Sequence, residues 1–182
     1  FKTVYILSSS EGGDMAAQGI IAILGTFDSK PEEHLFLKRH IEDRGFKSLT
    51  INVGTRCPAA FTPDIDLHEK LTQEERKSRD AAIQGTIDRG RNLVRDLYDQ
   101  GEISGIISAG GGTGTHLSTS IMRVLPIGVP KVMVSTVASR NMARVVGTKD
   151  ITMMHSVVDL LGINSISGGV LERAAGAVCG MV

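Results

Sequence analysis

The chain has 182 residues, 41% of them apolar, with 21 glycines and no tryptophan, which suits one well-buried α/β domain with many tight turns. Its 20 basic and 20 acidic residues cancel, arguing against a nucleic-acid-binding domain, which carries a basic excess or stripe. No apolar run approaches the ~18 residues of a transmembrane helix, and Phe1–Leu7 lacks the basic flank of a signal peptide.

Residues 8–18 are rich in serine, glycine and alanine and read as a linker, so residues 1–18 are expected to be an N-terminal extension, with Met15 as an internal start. The other reading makes Phe1–Leu7 an added edge strand. Ile20–Leu24 is a continuous apolar run of the kind found in central parallel strands. A loop over Gly25–Lys30 leads into a helix over Pro31–Arg44, with Pro31 in its first turn and Ser29 and Glu32 spaced as a capping box. Leu49, Ile51 and Val53 alternate in a second strand over 47–53, and an irregular stretch runs from Gly54 to about Lys77. Loops of that length inside compact domains are functional or disordered.

Ser78–Gln100 has helical spacing, with Ile83, Ile87, Val94 and Leu97 on one face and Asp80, Arg91, Arg95 and Asp99 elsewhere. Gly85 and Gly90 cost stability inside it and mark close packing or a backbone contact. A third strand, Ile103–Ala109, empties into Gly110-Gly-Gly-Thr-Gly-Thr115 and a helix over His116–Leu125. Lys131–Ser135 is a fourth strand, Thr136–Lys149 a polar loop, Ile151–His155 a fifth strand and Ser165–Gly180 a closing helix. The alternation implies a doubly wound, mostly parallel five-stranded sheet of Rossmann or flavodoxin type. Cys57 and Cys179 make neither a disulfide framework nor a metal motif, Cys179 reading as core and Cys57 as a loop residue; a cytoplasmic address follows as the default.

In such sheets ligands bind beyond the carboxyl ends of the strands, near the switch in strand order. The rim then holds Thr26, Asp28 and Lys30 after the first strand, Gly54, Thr55 and Arg56 after the second, and Gly110, Gly111, Gly112, Thr113, Gly114 and Thr115 after the third. Ser135, Thr136 and Ser139 follow the fourth strand, and His155 and Ser156 end the fifth. Glycines admit an anion to backbone N–H groups, and a helix N-terminus adds donors and a favourable dipole. The alternative is a tight strand-to-helix turn that needs glycine only for its dihedral angles. Of two candidate anion sites, the first helix already carries Glu32 and Glu33 in its opening turn, whereas no acid lies between Gly110 and Arg123. Charge therefore favours residues 110–115.

Lys30, Arg140 and Arg144 read either as counter-charges or as solvated surface residues, and Asp28 as a Mg²⁺ or ribose contact or a turn former. His116 is either a phosphate contact or a surface residue. No lysine follows the glycines as in a Walker loop, and Gly110, Gly112 and Leu117 break the Gly-x-Gly-x-x-Gly spacing. Ser135, His155 and Asp159 could make a hydrolase triad, but the Gly-x-Ser-x-Gly elbow is missing.

Four segments carry a family resemblance: Gly25-Thr-Phe-Asp-Ser-Lys30, Ala109-Gly-Gly-Gly-Thr-Gly-Thr115, the run from Leu125 to Ser139, and Asp150-Ile-Thr-Met-Met-His-Ser156. Together with the closing Ala-Gly-Ala-Val-Cys-Gly-Met-Val182, they resemble the tomato mosaic virus resistance protein family from about Gly19 to Val182. The resemblance implies that residues 19–182 are the N-terminal subdomain of a two-subdomain, dimeric, ATP-binding unit with Rossmann-like halves. In the plant member that unit binds a viral replication protein and inhibits RNA replication, and some relatives add a C-terminal TIM barrel.

Carried over by position, the implied ATP contacts, with Mg²⁺ as a companion ion, are Thr26, Asp28, Lys30, Gly110–Thr115, Ser135, Thr136, Val137 and Ala138. Thr113 and Arg140 stand where glycine is common in the family, and residues 56–78 differ from the plant protein. The expectation is an ATP-binding regulatory or scaffold module. Its rivals are part of an enzyme acting on a phosphorylated small molecule, completed by a second subdomain or a barrel, and a pure protein-interaction domain.

Overall fold

The computed structural model describes residues 19–182, so the extension or edge strand expected over residues 1–18 lies outside the described residues. Six strands form one parallel sheet: β1 (Ile20–Gly25), β2 (Lys47–Asn52), β3 (Ile65–Asp66), β4 (Gly105–Gly110), β5 (Lys131–Ser135) and β6 (Thr152–His155). The helices are α1 (Pro31–Glu42), α2 (Arg79–Asp99), α3 (Gly112–Met122), the short α4 (Ala143–Val146) and α5 (Ser165–Met181). The strand order is β3-β2-β1-β4-β5-β6. That is the Rossmann order, whose direction reverses between the first and fourth strands, and not the flavodoxin one.

Alternation along β1 explains the three layers. Ala22 and Leu24 face one core with Ile87, Val94 and Leu97 of α2 and Leu117 and Ile121 of α3. Ile21 and Ile23 face the other, with Leu37 and Ile41 of α1 and Leu171, Ala174 and Val178 of α5. Burying the leucine, isoleucine and valine side chains on both faces contributes about 1.5–3 kcal/mol each, and it makes the central strands read as unbroken apolar runs. Gly90 is where α2 and α3 close on each other: a Cβ there would lie 2.4 Å from Cδ1 of Ile121.

Four sequence expectations are corrected. The sheet has six strands, because Ile65 and Asp66 pair with Ile51 and Asn52 inside the stretch that reads as irregular, which also holds a 3-10 turn at Glu75–Lys77. Two residues are too few to show a period. The Thr136–Lys149 loop likewise contains α4. The Ser29–Glu32 capping box does not form: Lys30 is the N-cap residue without a side-chain cap bond, and the Ser29 hydroxyl turns to Thr26. Finally, α3 starts at Gly112 rather than His116, so most of the glycine run is the first turn of the helix itself.

Candidate functional site

Thr26 follows the last residue of β1 and Gly111 follows the last residue of β4, so the two loops face each other where the strand order reverses. Between them is a cleft of about 270 Å³. Its walls bring together Thr26, Asp28 and Lys30 from the first loop and Gly111, Gly112, Thr113 and Gly114 from the second. Ser29, Thr55, Arg56 and Arg79 complete the polar lining.

The cleft floor is the N-terminus of α3. Gly111 caps it in extended conformation without a side-chain cap, and the first turn carries no acid. Thr115 N–H donates to Gly111 O at 2.8 Å, but the N–H groups of Gly112, Thr113 and Gly114 have no acceptor among the described residues. A helix leaves such groups for a cap, water or a ligand. A Cβ on Gly110 would lie 3.2 Å from Cα of Gly114, so this backbone approach needs a residue without a side chain. At Gly112 a Cβ would meet nothing within 4 Å.

The N-terminus of α1 is closed by contrast. Glu33 is 2% exposed and its Oε1 accepts Gly162 N–H at 2.9 Å. The Lys30 amine donates to Leu160 O, which engages it away from the glycine turn although the residue lies on the cleft wall.

Side chains fix the two loops. Buried Asn52 accepts from Phe27 N–H at 3.2 Å and Gly54 N–H at 2.9 Å, and donates to Asp66 at 2.8 Å. Asp28 Oδ2 accepts Arg56 N–H at 3.0 Å, while Oδ1 is buried without a partner among the described residues. Thr115 and Ser135, both buried, share a 2.7 Å hydroxyl bond, and Ser135 Oγ also accepts Val137 N–H at 3.2 Å. Thr136 N–H donates to Gly110 O at 3.1 Å. Thus Gly110, Thr115, Ser135 and Thr136 brace the turn from behind, the N–H groups of Val137 and Ala138 donate to Ser135, and none of the six lines the cleft. His116, Arg140 and Arg144 are exposed and stand off it.

No hydrolase triad is assembled. Ser135 Oγ is committed to Thr115 and Val137, His155 Nδ1 reaches only the Ser135 carbonyl at 3.4 Å, and Asp159 accepts the Leu160 N–H. Among the described residues no group of three histidine, cysteine or acidic side chains could hold a metal ion, and no helix is long and apolar enough to cross a membrane.

Arg79 is the residue that sequence reading missed. It opens α2, and its Nη2 donates to Thr113 Oγ1 at 2.8 Å. The strap that delivers it is held by Glu75, whose carboxylate takes two 2.9 Å bonds from Arg89 and further bonds from Thr72. The Arg89 guanidinium, and then the Thr72 N–H, push the Glu75 pKa down to about 2.

Strand order and cleft position define a doubly wound α/β domain of Rossmann type, with an uncapped helix N-terminus at its switch point. The chain belongs to the family described as uncharacterised protein family UPF0261, N-terminal domain, which matches residues 19–182. A UPF0261 protein of Clostridium tetani is 42% identical over 170 residues, covering 89% of this chain and 42% of the relative. The ToMV resistance protein Tm-1(GCR237) of Solanum lycopersicum is 48% identical over 182 residues, covering 87% of this chain and 24% of that protein. UPF0261 protein RA0729 of Rhizobium meliloti is 36% identical over 168 residues, covering 88% and 42%. The chain thus spans less than half the length of each of these relatives, and the resemblance carried by the four sequence segments holds.

Proposed function

We propose that the cleft binds the phosphates of a nucleotide, ATP in the first instance, and that the domain works as a nucleotide-binding regulatory or scaffold module. The observation that carries this reading is the acid-free first turn of α3, whose free N–H groups open into a cleft walled by Arg56 and Arg79. Helix N-termini of this kind are ready anion sites, and guanidinium groups suit phosphate oxygens. At about 270 Å³ the cleft is smaller than the roughly 300–1,000 Å³ of sites that enclose a whole small molecule. It fits a phosphate chain and ribose, leaving the base to a second subdomain. Asp28 Oδ1, buried and unpartnered among the described residues, is the acceptor for a ribose hydroxyl or a Mg²⁺-bound water.

The test is titration calorimetry of ATP–Mg²⁺ against the protein and against Gly112→Asp. The open space at Gly112 admits the new carboxylate, and an acid in a first turn suits the helix dipole, so the variant should fold. Its charge repels phosphate, and a loss of at least about tenfold is expected. Equal affinity in the two proteins would sink the assignment.

A further inference from the structure

We infer that a second anion subsite adjoins the cleft, in a bay of about 530 Å³ lined by Thr55, Arg56, Arg76, Ser78, Arg79 and Ala82. Thr55, Arg56 and Arg79 belong to both cavities, so the two form one groove. Three arginines line the bay and no acid does. None of the three pairs with a carboxylate among the described residues, although Arg44 and Arg89 do.

Each guanidinium is held or presented differently. Arg76 donates to His68 O at 2.6 Å and Leu71 O at 3.2 Å, and also contacts His68 Nε2 at 2.9 Å. The two carbonyls fix its position without cancelling its charge. Arg79 leans on Thr113 through one bond, and the Arg56 guanidinium has no partner among the described residues. Unpaired positive charges gathered beside one cavity raise its potential and draw anions to it. A phosphoryl group offers several acceptor oxygens, and the planar fork of each guanidinium can take two of them at once.

The bay therefore takes a phosphoryl group. It comes either from the far end of the ligand lying over α3 or from a second phosphorylated ligand bound beside it. The inference uses the position of the glycine turn and not its ligand, so it stands even where that turn binds nothing.

Ser78 allows a test that spares the fold. It caps α2, its side chain accepting Ala81 N–H at 3.1 Å, and it lines the bay. Aspartate and asparagine cap helices as well as serine does, so Ser78→Asp adds only a negative charge and Ser78→Asn is its neutral control. Inorganic pyrophosphate is titrated calorimetrically into Gly112→Asp, Gly112→Asp/Ser78→Asn and Gly112→Asp/Ser78→Asp proteins, each checked for a cooperative melt. The expected result is binding in the first two and a loss of at least about tenfold in the third. Indistinguishable titrations of the Ser78→Asn and Ser78→Asp forms, or no binding to any of the three, would overturn the subsite.

Two further arms identify the source of the phosphoryl group. In otherwise wild-type protein, a Ser78→Asp loss for ATP but not AMP supports a terminal phosphate in the bay. Pyrophosphate binding to protein already saturated with ATP supports a second ligand. Failure of ATP to bind wild-type protein, with pyrophosphate still discriminating the Ser78 variants, would refute the nucleotide reading and leave the bay intact.

Discussion

Arg79 and Thr113, the first residue of α2 and a first-turn residue of α3, are joined by a 2.8 Å hydrogen bond that ties two helix N-termini together at the switch in strand order. The Thr113 hydroxyl holds a guanidinium over the uncapped turn. The residue is an anchor as well as a restriction on the backbone.

Removing that anchor should reduce affinity without unfolding the domain. Arg79 is exposed, so Arg79→Ala is expected to change stability by no more than about 0.5 kcal/mol. Losing a charge-assisted contact to phosphate costs about 1.5–3 kcal/mol, at least about tenfold in the ATP dissociation constant. Thr113→Val keeps the volume and the Arg79 charge but frees the guanidinium, and should show a smaller loss. Calorimetric titration beside thermal melts separates the effects; a large stability change with unaltered affinity would assign Arg79 to the fold alone.

Chemical character was legible along this chain, but the direction of side chains was not. The strand-to-helix alternation, the glycine turn and the absence of acid after it could all be read directly, since each is local. Arg79 could not, because a basic residue opening an amphipathic helix looks like any solvated charge until strand order brings α2 against α3. The hydroxyl-rich rim has the same history. Thr115 and Ser135 are polar residues in the expected place, yet the register that sets Ser135 beside Gly110 brings its hydroxyl onto Thr115 in the first turn of α3. Lys30 is drawn off by the Leu160 carbonyl, a partner 130 positions away.

The α2–α3 contact is tight enough to test by overpacking. Gly90→Ala would set a Cβ 2.4 Å from Cδ1 of Ile121, which is fully buried and hemmed in by the core. Alanine gains about 1 kcal/mol of helix propensity, but overpacking costs about 1–3 kcal/mol, and a net loss of roughly 1 kcal/mol is expected. Ile121→Val deletes the clashing methyl, so the penalty of Gly90→Ala should shrink in that background. Urea unfolding of the four proteins of the cycle gives the coupling; strict additivity would show that the helices separate freely.

Lys131 should be intolerant of a neutral replacement. Its side chain is 0% exposed, and the amine donates to Pro126 O at 2.7 Å, Val129 O at 2.6 Å and Asp150 Oδ1 at 2.9 Å. Lys131→Met leaves two carbonyls without a donor at about 1–3 kcal/mol each where water cannot reach them. Asp150 is half open to solvent and can rehydrate. The Gly128 N–H, and then the Lys131 amine, hold its carboxyl below the ordinary range. Its pKa in Lys131→Met, followed by NMR, should therefore rise only part of the way to 3.8.

His34 links acid stability to the glycine turn. It is fully buried, contacts Lys30 O through Nδ1 at 2.6 Å, and its Nε2 lies 3.4 Å from the Ala109 N–H just before the turn. With Nδ1 donating, Nε2 is the acceptor, which is the neutral tautomer; a second proton would set an N–H against the Ala109 N–H. Burial lowers the pKa below 6.5, opposed mainly by the bond to Lys30. The unfolded chain then binds the proton first as pH falls. The stabilisation from neutral His34 is complete above about pH 6.5 and is lost progressively below it, down to the folded pKa. Urea midpoints measured from pH 8 to pH 4.5 should be flat at the alkaline end and decline through the acidic range. His34→Gln retains a donor and an acceptor but cannot titrate, so its decline should be shallower. An identical pH profile in the variant would remove His34 from the account.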